Sequence, residues 1–199
     1  MVATVHVFFD FGGSDTMPAT EQDTNALTPV NLRFKTADDA TIDNINPIPI
    51  PSASVNNSFW KQIYLQVTAT GGFTQIDNVQ FYTDGSNFGA GITTNVGDEM
   101  PVKTLASDAG YEVATGTPGT TGDEMVAAHA GLTMSTDAFS FTSGCTFSPG
   151  DSLTIGEAGN IINAIGESTN YWVVQMNVAS TASPGDLVDE TWTFQYDEI

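Results

Sequence analysis

The feature that most constrains this chain is a two-residue rhythm of apolar side chains. Between positions 171 and 178, Trp172, Val174, Met176 and Val178 share one side of an extended backbone, while Tyr171, Val173, Gln175 and Asn177 share the other. Successive side chains point to opposite faces only in a strand, so this rhythm specifies β structure. It returns at Trp192, Phe194 and Tyr196, which alternate with Thr191, Thr193 and Gln195. Between the two runs lies Thr181–Asp186, a turn in which Pro184 presets φ. The two runs are therefore predicted to form a closing β-hairpin with a long connection.

Four further runs share the pattern. Val5, Val7 and Phe9 alternate with His6 and Phe8, and Gly12-Gly13 ends the run. Val30, Leu32 and Phe34 alternate with Asn31, Arg33 and Lys35. Ile63, Leu65 and Val67 precede Gly71-Gly72, and Val79 and Phe81 precede Asp84-Gly85, a pair suited to turns because glycine tolerates positive φ. Helix is scarce. Residues 122–131 offer two turns, with Asp123 as cap, Glu124 at the positive end of the dipole and Gly131 as terminator. Ala158 to Ile165 offers another short turn. Segments 10–28, 36–58 and 106–122 read as loops. Within the second, Pro47, Pro49 and Pro51 alternate with Ile48 and Ile50, which favours an extended or edge segment because proline cannot donate to a central ladder. Ser148–Asp151 and Ser183–Asp186 repeat the same Ser-Pro-Gly-Asp turn, which turn chemistry alone explains. Many strands joined by Gly, Pro and Asn turns, without strand–helix alternation, predict an all-β fold. The expectation is a single antiparallel β-sandwich over residues 1–199, immunoglobulin-like or jelly roll, with long loops and at most one or two short helices.

Composition bears on partners. The 199 residues carry 24 acidic and 4 basic side chains, a formal charge of −20, yet only 14% are charged. An ordinary domain has roughly 25%. The acidity therefore comes from missing Lys and Arg, and the surface is polar but largely uncharged, with 27 Thr. Arg33, Lys35, Lys61 and Lys103 are the only basic side chains besides the two histidines, too few to neutralise phosphates or to hold an anionic membrane. Neither nucleic acid nor membrane is an expected partner. The first ten residues lack the basic and apolar regions of a signal peptide, and no stretch approaches the ~18 apolar residues of a membrane span. Cys145 stands alone, so no intrachain disulfide and no cysteine-based metal site is expected.

No constellation of catalytic residues emerges, and no catalytic, cofactor-binding or metal-binding residue is assigned. His6 and His129 have neither His-x-His nor His-Glu-x-x-His spacing. Gly-x-Ser-x-Gly and the phosphate-binding glycine motifs are absent, and Gly89-Ala-Gly91 reads as a turn. Asp98-Glu99, Asp123-Glu124, Asp189-Glu190 and Asp197-Glu198 are adjacent pairs. Neighbours on a strand point apart, so these read as solvated rims rather than the paired acids of a glycosidase. Calcium is the least implausible ion. Asp38, Asp39, Asp43, Asn44 and Asn46 crowd one loop, and Asp10, Ser14 and Asp15 another, but neither has EF-hand spacing and a plain loop is favoured in both. The segment Phe81–Gly91 mixes aromatics, Asn and Gly, a composition that binds sugars or proteins in some loops and packs back on a sandwich in others.

Two stretches carry a resemblance. Trp172 through Asp186 with Thr191 through Ile199 resembles the last hairpin of immunoglobulin-like domains, including those of tailed-phage virion proteins. Ser58–Lys61 through Phe81–Gly85 is similar to phage-type structural proteins. The Cys…Trp…Cys spacing of disulfide-bonded immunoglobulin domains is missing. The resemblance implies a non-enzymatic virion structural protein made in a host cytoplasm, a capsid decoration (cement) protein or a related head or tail component. Its implied partners are the major capsid protein or copies of itself, as a homo-oligomer such as a trimer. A surface-layer, filament or adhesin subunit and a carbohydrate-binding β-sandwich are the alternatives.

Overall fold

A computed structural model describes residues 2–12, 20–27, 32–83, 88–102, 136–137, 153–154 and 162–199. The segments with the clearest two-residue rhythm are strands: β1 (Thr4–Phe11), β4 (Lys61–Ala69), β5 (Ile76–Thr83), β9 (Asn170–Ala179) and β10 (Trp192–Glu198). Shorter or more polar strands join them: β2 (Thr20–Asp23), β3 (Val55–Asn57), β6 (Ile92–Val102), β7 (Thr136–Asp137) and β8 (Leu153–Thr154). All pairings are antiparallel. A seven-stranded sheet runs β2-β1-β4-β9-β6-β7, with β3 also on β9, and a three-stranded sheet runs β10-β5-β8. The fold is an all-β sandwich, and the aromatic rows of the two sheets meet inside it. Phe81 of β5 lies 4.8 Å from Trp172 of β9 and 5.3 Å from Phe194 of β10, measured between ring centres. Among the described residues no helix is long and apolar enough to cross a membrane.

The predicted closing hairpin does not form. β9 lies inside the large sheet, flanked by β4 and β6, whereas β10 pairs with β5 in the small one, Phe194 opposite Phe81 and Trp192 opposite Thr83. Twelve residues, 180–191, separate the two strands, enough to cross from one sheet to the other. Periodicity fixes which side chains of a strand share a face but says nothing about its partner. The run at Val30–Lys35 is also not a strand where it is described. Residues 32–35 are irregular, although Leu32 and Phe34 still pack on the core. Their backbone is held from the side, Phe59 N–H bonding Lys35 O at 3.2 Å and Thr36 N–H bonding Asn46 O at 3.0 Å.

The predicted loops contain more order than their composition implies. Segment 10–28 holds the end of β1, β2 and a 3-10 turn at Thr24–Ala26, capped by the Asp23 carboxylate, which accepts from the Asn25 amide. Segment 36–58 ends in β3. Ala158–Ile165 is not helical where described: Ile162 bridges to Ile76, and the Glu167 carboxylate accepts from the amides of Asn163 and Ala164 at 2.7 and 3.0 Å. The predicted helix at 122–131, the loop at 106–122, Cys145, Lys103 and His129 lie outside the described residues.

β9 organises the sandwich. β6 covers one edge from Ile92↔Val178 to Val102↔Asn170. On the other edge β4 pairs with Trp172–Val174 and β3 with Asn177–Ala179. Between β3 and β4 the chain bulges at residues 58–60, where Ser58 keeps the ladder closed. Its N–H donates to Met176 O at 2.9 Å and its Oγ accepts from Met176 N at 3.0 Å. Tyr171, Trp172, Val173 and Val174 are all fully buried, so both faces of β9 are covered. Trp172 and Val174 join the core between the sheets, with Phe9, Ile63, Val96 and Phe81. Tyr171 and Val173 join a second cluster on the opposite face with Phe8, Trp60 and Tyr64. At the far corner, Ala3 N–H donates to the Glu198 carboxylate at 3.1 and 3.2 Å, tying the start of β1 to the end of β10.

Because Trp172 fills the contact between the two sheets, Trp172→Ala is expected to cost about 4 kcal/mol, the usual range for emptying a buried aromatic site. Urea unfolding followed by circular dichroism measures this; a loss below about 1 kcal/mol is incompatible with a core centred on this ring.

A candidate binding cleft

Where the small sheet stops at β10, no described strand covers the inner face of the large sheet, and two irregular segments roof it. One is residues 32–50 and the other 182–190. Between them and the sheet lies a cavity of about 720 Å³. Its floor comes from inward-facing positions of four strands: Val7 and Phe9, Ile63, Ile92, and Met176 with Val178. Phe34, Phe88, Trp192 and Phe194 form its aromatic wall, with Trp192 and Phe34 ring centres 5.9 Å apart. The size is that of a ligand or side-chain pocket.

Each roof segment is held by its own chemistry. In the first, the Lys35 ammonium, with only 4% of its side chain exposed, donates to Asp39 Oδ1 at 2.9 Å, Asp43 Oδ1 at 3.1 Å and Thr41 O at 3.3 Å. The same carboxylate oxygens accept local amides, Thr41 N–H on Asp39 at 2.8 Å and Ile45 N–H on Asp43 at 2.9 Å. The loop is wound around a cation supplied by the chain itself. In the loop of Asp38, Asp39, Asp43, Asn44 and Asn46, where calcium is the least implausible ion and the sequence favours a plain loop, Lys35 takes the carboxylates of Asp39 and Asp43, and Asp38 accepts from the Gly12 amide at 2.5 Å. Among the described residues no group of three His, Cys, Asp or Glu is arranged to hold a metal. In the other weak cluster, Asp10 accepts from Tyr171 Oη at 2.6 Å and Tyr64 Oη at 3.4 Å, while Ser14 and Asp15 lie outside the described residues.

Burial alone would lower the pKa of Lys35, but its bonds to Asp39 and Asp43 outweigh that and raise it. Burial would raise Asp39, and Lys35 with the Thr41 amide brings it below its ordinary value. Lys61 differs. It is buried on the inner face beside this loop, donates to Asp39 O at 3.0 Å and lies 5.5 Å over the Phe9 ring. Its pKa falls because desolvation exceeds the attraction of Asp38 and Asp39. Asp38 rises because burial exceeds the help of the Gly12 amide. On the opposite face of the sheet, burial and then the charge of Asp10 push the Tyr64 hydroxyl far up.

The second roof segment turns at Ser180–Pro184, where Ala182 N–H bonds Ala179 O at 3.0 Å. Gly91 makes this turn fit. It sits at φ +78°, and a Cβ there would lie 2.5 Å from Ala182 N. The Gly89-Ala-Gly91 stretch thus serves as a turn, with Ile92 N–H on Gly89 O at 3.3 Å, as the sequence implied. In the remainder of the Phe81–Gly91 segment, Phe81 is core and Phe88 packs edge-on to Phe34. Pro47–Pro51 enters no ladder; Asn56 Nδ2 holds it through Pro49 O at 2.7 Å.

The rim is where the surface departs from the polar norm. Ile45, Ile50, Leu187 and Val188 are large apolar side chains left exposed, Ile45 at 65% and Val188 at 64%, and all four border this one cavity. Exposed apolar groups scattered singly are ordinary; a cluster around a concave site marks a binding surface. Among them stand the exposed Asp186 and Asp189, while Asp43 is held by Lys35 and the carboxylate of Glu190 is shielded from solvent. Sequence reasoning missed this site. Its only linear signals were the Ile-Pro alternation at 47–51 and Leu187-Val188 in an otherwise polar connection. Of the other candidates, His6 Nδ1 meets Asp23 at 2.7 Å, Asp197 and Glu198 have separate partners in Asn78 and Ala3, and Asp123 and Glu124 lie outside the described residues.

Lys35→Met should destabilise the protein by about 2 kcal/mol, less than a fully buried pair would lose because Asp39 and Asp43 keep part of their surface in water. The pH dependence follows. A carboxyl whose folded pKa lies below its unfolded value of 3.8 contributes stability that is present above that value and is lost as pH falls through the folded pKa. Wild type should therefore lose the Asp39 contribution below about pH 4, and Lys35→Met should lose less over the same interval. Urea melts between pH 2 and 6 check both; an unchanged acid slope defeats the assignment. In comparisons with known protein families, with characterised proteins and with solved structures, the chain matches none, so its functional reading rests on this cleft and on the residues themselves.

Proposed function

We propose that this chain is a non-enzymatic structural protein that works by docking onto other proteins, as a capsid decoration (cement) protein or a related head or tail component of a tailed-phage virion. The observation that carries the docking role is the convergence of Ile45, Ile50, Leu187 and Val188, four of the seven large apolar side chains left exposed among the described residues, on one cleft. Three more features favour a structural over a chemical role. The titratable groups that looked available in the sequence hold the fold together: Lys35 with Asp39 and Asp43, Asp10 with two tyrosines, His6 with Asp23. The cleft wall is aromatic and aliphatic. A charge of −20 with four basic side chains keeps such a protein off nucleic acid and soluble at the high local concentration of an assembly. The virion assignment itself is supported by the resemblance of the segment from Ser58 through Gly85 to phage-type structural proteins. The resemblance of the tail to a closing hairpin no longer contributes, because β9 and β10 belong to different sheets.

The test is composition of purified particles from cells that produce the chain. Mass spectrometry should find it in fixed stoichiometry, and Ile45→Asp/Val188→Asp should keep its thermal melt yet drop from particles at least tenfold, both residues being mostly exposed. Absence of the wild-type chain from particles, or undiminished incorporation of the variant, overturns the reading.

A further inference from the structure

We infer that the cleft receives an extended apolar segment of a partner protein flanked by lysine or arginine. The inference rests on the docking role proposed above and names the chemistry of its occupant. The charge around the mouth supplies the first argument. Asp186 and Asp189 stand exposed at the mouth, whereas the Glu190 carboxylate is shielded from solvent and Lys35 and Asp43, which also line the cleft, are paired with each other. A second copy of this chain would carry its own net charge of −20 toward the exposed Asp186 and Asp189, so it is repelled where a basic-flanked segment is attracted.

The second argument comes from unused hydrogen-bond donors. Arg33 Nε and Trp192 Nε1 are both shielded from solvent, both belong to cleft-lining residues, and neither has an acceptor among the described residues. A buried donor without a partner costs about 1–3 kcal/mol. A hydrocarbon could not relieve that cost, and the carbonyl oxygens of a peptide backbone could. The third argument is the shape of the wall. Trp192 and Phe194 are two residues apart on β10 and both face the cleft. β10 is the terminal strand of the small sheet and pairs only with β5 among the described residues. An extended segment laid beside it matches that spacing with its own alternate side chains and finds main-chain groups along the strand edge. Apolar alternate positions, carbonyl acceptors and basic ends together describe an extended peptide.

The probe is a fluorescein-labelled peptide of about ten residues, alternating valine and threonine, with two lysines at each end. The control has glutamates in place of the lysines. With the full chain at low salt, anisotropy should show the lysine-flanked peptide binding at least tenfold tighter than the control, with the difference shrinking as salt rises. Val188→Ser and Trp192→Phe should each weaken binding at least threefold, the first by loss of an apolar rim and the second by loss of the indole N–H, while leaving the thermal melt near wild type. Equal affinity for both peptides, no binding of either, or preferential binding of dodecanoate overturns the inference. If no peptide binds while Ile45→Asp/Val188→Asp is still excluded from particles, the docking face stands and only its proposed occupant falls.

Discussion

Everything in this sandwich depends on the burial of β9 from Tyr171 to Val178. A strand covered on both faces has no water to satisfy its polar side chains, so each must find a partner inside the protein. The outer face answers with a ladder of amides. Asn95 Nδ2 donates to Asn177 Oδ1, Asn177 Nδ2 donates to Asn57 Oδ1, and Gln175 Nε2 reaches Ser58 O at 3.1 Å. Three strands are thereby pinned in one register, because a slip of one residue would turn every amide into the opposite, apolar face. The bulge at Ser58 is part of the same solution: it lets one stretch of chain serve β9 twice, as β3 and as β4. The inner face is less complete, since Trp172 Nε1 and Thr94 Oγ1 lie buried without an acceptor among the described residues.

Scarcity of positive charge shapes the rest. With so few basic side chains, each that is buried has a large local effect. Lys35 and Lys61 both reach the 36–43 loop, and their two fates differ. Lys35 meets two carboxylates and is held as a cation, so it organises the loop. Lys61 meets mainly a carbonyl and an aromatic ring, so desolvation dominates and its charge is disfavoured. The loop in turn sets the first lip of the cleft, because Asp43 fixes the Ile45 amide. A cluster that looked like a cation site in the sequence is one, with the cation covalently attached four residues upstream of Asp39.

The strands that were legible in the sequence are those where periodicity and burial agree: Val5–Phe9, Ile63–Val67, Val79–Phe81, Trp172–Val178 and Trp192–Tyr196. β6 was not legible because Asn95, Gly97, Asp98 and Pro101 are poor strand formers and its first apolar residues, Ile92 and Val96, stand four apart. Its place is set by pairing with β9, a tertiary effect that overrides local preference. The described part of the Val30–Lys35 run failed for the converse reason: Leu32 and Phe34 pack on the core, but Lys35 and the following Thr36 are bonded to the 59 and 46 backbones rather than to a neighbouring strand. The closing hairpin failed because adjacency in sequence was taken for adjacency in a sheet. The cleft was illegible because its lining comes from segments scattered over the chain, from Val7 to Phe194. No linear motif encodes a surface assembled that way. Exposed isoleucines between prolines become informative only when Leu187 and Val188 are seen beside them.

The bond between the Ala3 amide and the Glu198 carboxylate has a topological consequence. Polypeptide entering before the first strand and polypeptide leaving after the last would run from a single corner, separated by little more than a side chain. Such a fold can be inserted into a surface loop of a host protein, or strung in tandem, without stretching either junction. It could equally be recircularised by a short linker and reopened at an exposed turn, with the order of its strands changed and their partners kept.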